Sequence, residues 1–190
     1  MHKKGRVAAM DQKTFAQGLT SILVKQSVIS EQEAEDLQKG FARSSHDWFV
    51  EFLLEEAFVD KENILKALST YYQVPFFDVE GHFFDHLLVR DFPKGFLLRH
   101  NMIPMEIDED ILVFVVADPS NPSLLSDLRK YTDDDIQFYV GIARDIEDAV
   151  KEYYDKSLTD DYDLVEDLES EDEEHEDLKE AEEEGDEDVE

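Results

Sequence analysis

The sequence predicts an α+β fold, in which a helical bundle built from a repeat precedes a small α/β sandwich of about three strands with helices, and a disordered acidic tail follows. Three observations carry this prediction. Residues 11–74 place apolar side chains at helical spacing and repeat with a 30-residue offset. After Pro75, short apolar runs alternate with turn residues, as strands and helices do in a mixed domain. From Thr159 to Glu190 the chain carries 20 acidic residues against one basic residue, Lys179.

Residues 1–10 read as a flexible N-terminus. Met1-His2-Lys3-Lys4-Gly5-Arg6 is basic, but the apolar run behind it is too short for a signal-peptide core. Asp11 is placed to cap a first helix with Phe15, Leu19, Ile22 and Leu23 on one face, ending near Ser27. Ser30 and Glu33 form a capping box behind the apolar pair Val28-Ile29, and a second helix runs through Ala34 and Leu37 to about Gly40. Trp48, Phe49, Phe52, Leu53 and Leu54 mark a third helix. Asp60 caps a fourth, with Ile64, Leu65, Leu68 and Tyr71-Tyr72, and Pro75 lies beyond it. Shifted by 30 residues, Leu23-Val24-Lys25-Gln26-Ser27-Val28-Ile29-Ser30 lies over Leu53-Leu54-Glu55-Glu56-Ala57-Phe58-Val59-Asp60. Each unit is a helix, a small residue for a tight exit, an apolar pair, an N-cap and another helix. Two such units pack their apolar faces into one bundle.

The α/β subdomain is assigned to residues 75–157. Phe76-Phe77-Asp78-Val79 is short and extended, and a helix from Phe84 to Val89 follows. Pro93 suits the first turn of a helix holding Phe96, Leu97 and Leu98. Met102 to Ile107 alternates as a strand, Asp108-Glu109-Asp110 turns, and Ile111 to Ala117 is the continuous apolar run of a buried strand. Asp118-Pro119-Ser120-Asn121-Pro122 interrupts it before a helix with Leu124, Leu125 and Leu128. Ile136, Phe138 and Val140 alternate as a third strand, and Asp145 opens a helix through Ile146, Ala149, Val150, Tyr153 and Tyr154. The expected order is hairpin, helix, strand, helix. Residues 158–190 are expected to be disordered, because so many like charges with so few apolar groups do not offset the entropy of ordering.

The formal charge is -31, from 49 acidic and 18 basic residues. Binding a phosphate backbone over a broad surface needs clustered Lys and Arg, so a nucleic-acid partner is not expected. Without cysteine there is no disulfide, thiolate metal site or cysteine nucleophile. No stretch approaches the roughly 18 apolar residues of a membrane span, so direct membrane insertion is not expected and a cytoplasmic location is.

The helical repeat, Tyr72-Gln73-Val74-Pro75-Phe76, the segment Pro93 to Pro104, Val115-Val116-Ala117-Asp118-Pro119 and the closing Asp145 to Tyr154 helix together resemble the N-terminal region of type II secretion and type IV pilus assembly ATPases. The resemblance covers about residues 14 to 156. It implies an accessory region that docks onto the cytoplasmic part of an inner-membrane partner, and so a protein peripheral to the inner membrane through that partner. The family's motor domain carries a Gly-x-x-x-x-Gly-Lys-Ser/Thr loop. Here Gly40, Gly81, Gly95 and Gly141 are isolated and no such spacing occurs. The expected function is therefore a non-catalytic adaptor or regulatory module without cofactors or metals, whose protein partner is a component of a secretion or pilus-assembly machine. The acidic tail would act as an arm for a basic surface.

Some members of the family bind cyclic di-GMP through a tandem Arg-Leu-Gly motif with a later Gly and a terminal Gln. On the second repeat these positions fall on Trp48, Phe49 and Val50, then Ala57, then Tyr71. On the first, Gly18, Leu19 and Thr20 stand in their place. The apolar skeleton persists while the polar and glycine positions Trp48, Val50, Ala57 and Tyr71 diverge. With net negative charge added, the sequence disfavours cyclic di-GMP as a ligand. A nucleotide-sensing domain with a divergent pocket is the alternative function. Trp48 and Phe49 are candidate partner contacts, as aromatics at interfaces are, with a place in the core as the competing reading. A helix would place His82 and His86 on one face, but a metal site needs further ligands. Glu55, Glu56 and Asp60, and the run Asp133-Asp134-Asp135, could pair acids for a hydrolase; a solvated face and a turn explain them more simply.

Overall fold

The first helix, α1 (Gln12–Lys25), begins where Asp11 accepts the Lys13 N–H at 3.2 Å and the Thr14 hydroxyl at 2.6 Å. The structure, a computed structural model, describes residues 11–56 and 58–154. The expected flexible N-terminus, Ala57 and the tail 158–190 lie outside these residues. α1 buries Phe15, Ala16, Leu19, Thr20 and Leu23. It ends on Ser27 in the left-handed region (φ 60°), with the Ser27 N–H donating to Val24 and the Val28 N–H to Leu23. This doubly bonded exit is a Schellman motif, and it explains the small residue at that place in the repeat.

α2 (Glu31–Arg43) carries the predicted capping box: the Glu33 N–H donates to Ser30 Oγ at 3.2 Å, and the Ser30 N–H donates to Glu33 Oε2 at 2.7 Å. α3 (Phe49–Glu55) has no side-chain cap of its own from Trp48. The Phe49 N–H instead donates to Gln12 Oε1 at 3.0 Å, across 37 residues. α4 (Lys61–Tyr72) is capped by Asp60, which accepts the Asn63 N–H at 3.0 Å. The apolar faces of these four helices converge on Phe15, Leu19, Leu23, Leu37, Phe49, Phe52, Leu53, Ile64 and Leu68.

α5 (His86–Arg90) starts two residues later than expected, because Asp85 caps it through the Leu87 N–H. α6 (Lys94–His100) has Pro93 as its N-cap. The sheet has the order β1-β2-β3, from β1 (Met102–Asp108), β2 (Ile111–Val116) and β3 (Asp135–Val140), with α7 (Leu124–Leu128) between the last two. β1 and β2 form the predicted hairpin, antiparallel, with a register shift between Pro104 and Glu106. β3 joins β2 in parallel, so the connection must cross over, and α7 lies in it. In the central strand every residue after Ile111 is buried.

α8 opens at residue 143, ahead of Asp145, and runs to 150 in this unit. The described residues divide into two units after Val150, and of the second only 151–154 are described, as helix. Within the first unit the helical and sheet halves share a side chain. Val140, at the end of β3, belongs to the helical core. Its N–H donates to the Pro75 carbonyl at 2.8 Å and its carbonyl accepts the Phe77 N–H at 2.9 Å. No helix among the described residues is long and apolar enough to cross a membrane.

Candidate functional site

The four helices bring a motif position of the first repeat against one of the second. A side-chain carbon placed on Gly18 would sit 2.6 Å from the Tyr71 ring, so Tyr71 of the second copy lies over Gly18 of the first. Tyr71 also packs edge-on to Phe15 (5.1 Å) and Tyr72 (5.0 Å). Leu19 is core, and Thr20 is fully buried, its hydroxyl donating to the Ala16 carbonyl at 2.7 Å and accepting from Gln38 Nε2 at 2.7 Å. At the other end Phe49 is fully buried against Phe41 and Phe52, while Trp48 is 51% exposed and Val50 half-buried. Of the Trp48–Phe49 pair, then, only Trp48 presents surface, and Phe49 is core.

The other predicted residues separate. His82 lies in the loop before α5, its ring edge-on between Phe77 (4.8 Å) and Phe84 (4.7 Å), whereas His86 opens the helix. The common helical face expected for these two histidines does not form, because Asp85 sets the helix start between them. Glu55 pairs with His46 at 2.7 Å, and that hydrogen bond holds its carboxyl below the usual range. Its neighbour Glu51 is pushed up, first by burial and then by the Glu55 charge. Asp60 is a cap. Asp134 accepts the Thr132 hydroxyl at 2.7 Å and its carbonyl accepts from Arg129, as a turn residue would.

Two features have no counterpart in the sequence reading. Lys61, at the start of α4, reaches Asp78 at 2.7 Å, Glu80 at 2.6 Å and Asp145 at 2.9 Å. Burial opposes its charge, but the three carboxylates outweigh this and hold the ammonium above the ordinary lysine range. The second feature is a groove of about 510 Å³ along α2 and the turn after α3. Ile29, Leu37, Phe52 and Phe58 give it an apolar floor, and Glu33, Asp36, Glu56 and Arg43 a charged rim.

Residues 72–160 match the MshEN domain. The structure of MshE with cdg, cyclic di-GMP, aligns with a TM-score of 0.57 at 19% identity, covering 72% of this chain and 98% of that one. The N-terminal domain of XpsE aligns with a TM-score of 0.50 at 16% identity, covering 75% of this chain and 96% of that one. No curated protein sequence matches. The shared fold and the matched domain bear out the resemblance to the N-terminal region of secretion and pilus-assembly ATPases. They also correct one expectation. Net negative charge disfavours cyclic di-GMP on the sequence alone, yet MshE, a structure of the same fold, holds it. Screening confines distant surface charges to about 10 Å at 0.1 M salt, so the groups touching a ligand decide its binding, and the global charge does not.

Proposed function

We propose that this chain is a non-catalytic interaction module that docks onto a protein component of a secretion or pilus-assembly machine at the cytoplasmic face of the membrane. The observation that carries the reading is the fold, an N-terminal domain of the MshE and XpsE type in a sequence without a phosphate-binding loop. Trp48 is the surface anchor in this reading, exposed next to the buried Phe49. The acidic residues 159–190 supply attraction for a basic surface of the same partner. Affinity capture with the full chain is expected to recover a motor or inner-membrane component of such a machine, and Trp48→Ala to reduce that recovery about tenfold. Recovery of no such component overturns the reading.

A second reading is favoured by the MshE complex: this domain binds cyclic di-GMP through a changed surface. Trp48 and Tyr71 stand where the family motif has Arg and Gln, and aromatic planes stack on nucleobases with about 1–3 kcal/mol each. Titration calorimetry with cyclic di-GMP is expected to show binding that Trp48→Ala weakens by roughly 5- to 150-fold, the equivalent of that stacking energy. Absence of heat at millimolar ligand sinks it.

A further inference from the structure

We propose that the groove along α2 receives a basic amphipathic helix of a protein partner; this rests on the docking reading above and names its site and chemistry. The argument starts from the broken symmetry of the repeat. In the first copy the helix exit is closed: Gln26 Nε2 donates to Thr70 Oγ1 on α4 at 3.2 Å, and Val28 packs against the core. Thirty residues on, Gln26 becomes Glu56 and Val28 becomes Phe58, and the partner of Thr70 in the repeat is Gly40 on α2. Gly40 has no side chain to meet Glu56, and Phe58 is 58% exposed. The junction that is shut in one copy stands open in the other, and the groove is that opening.

Its rim determines what fits. Glu33, Asp36, Gly40 and Arg43 follow one another along α2 at spacings of three and four, so they share a face about 15 Å long. Three of the four charged residues that line the groove, Glu33, Asp36 and Glu56, are acidic, and the fourth, Arg43, stands at the α2 C-terminal end. A helix laid along this face would seat apolar residues at i, i+3 or i+4 and i+7 on Leu37, Phe52 and Phe58. Its Lys or Arg residues would meet Glu33, Asp36 and Glu56, and an acidic residue near one end would meet Arg43, which fixes its direction. The chain's own acidic residues 159–190 carry the wrong charge for this rim.

The test uses the full chain and a fluorescent synthetic peptide of about four turns, with Leu on one helical face and Lys on the flanks, against a scrambled peptide of the same composition. Anisotropy is expected to show the patterned peptide binding at least about tenfold tighter. Asp36→Lys and Phe58→Ser should each abolish that margin with an unchanged melting temperature. Equal binding of both peptides, or a margin that survives Asp36→Lys and Phe58→Ser, overturns the proposal. So does tighter peptide binding on deletion of residues 1–10, since the chain's own N-terminal segment would then be the occupant. If a machine component is captured equally well by Asp36→Lys and wild type but lost by Trp48→Ala, the groove proposal falls and docking stands. If none is captured, the docking reading itself fails.

Discussion

Lys61 shows how much one side chain can hold. It ties α4 to the segment after Pro75 and to α8 through Asp78, Glu80 and Asp145. Removing the ammonium leaves three carboxylates whose oxygens lie within 4.8 Å of one another. Lys61→Ala is therefore expected to cost about 2–3 kcal/mol, because uncompensated charges at a partly buried site are worse than a pair removed whole. The variant's melting temperature should rise with millimolar calcium, while that of the wild type should not. The raised lysine pKa sets the sign of the pH effect. Its stabilisation is fully present below the unfolded value near 10.4 and is lost progressively as pH rises from there through the higher folded value. A thermal melt series from pH 8 upward checks this.

At the scale of elements, the starts of α1, α2 and α4, each with a local capping group, were legible, while the local cap Asp85 of α5 was masked by the apolar Phe84 before it. Asp11, Ser30 and Asp60 all do what their positions predict. Ser30→Ala should destabilise the protein by about 1 kcal/mol, read from urea unfolding. Hydrogen bonds from the Ser30 N–H and hydroxyl hold the Glu33 carboxyl below its usual range. Its contribution is present above the unfolded value near 4.3 and fades as pH falls through the folded one. Where the cap is distant, the sequence is silent. Gln12 caps α3 from 37 residues away, so Trp48 looks like a helix residue and is in fact the exposed N-cap. Asp145 reads as a helix start, but its carboxylate serves Lys61 and the helix opens at 143. The groove is hidden in the sequence for a related reason. The repeat was visible by shifting the chain, but the loss of one closing contact at Gly40 shows only when both copies are folded together.

At the scale of the whole molecule, Val140 ends a sheet strand inside the helical core, so neither half of the first unit completes its core alone. One cooperative transition is expected for that unit, and Val140→Ala should lower it by roughly 2 kcal/mol as a single step. Two separate transitions by circular dichroism and Trp48 fluorescence would contradict this. The central strand follows from the same arrangement. β2 is paired on both sides and its last five residues are buried. Its amides should exchange with deuterium only when the entire unit opens, which makes them a gauge of global stability. Anything that binds the native fold, whether a dinucleotide or a peptide in the α2 groove, must slow exchange in β2 by the factor 1 + [L]/Kd. A strand remote from the helical face would thus report affinity there with no label on the ligand.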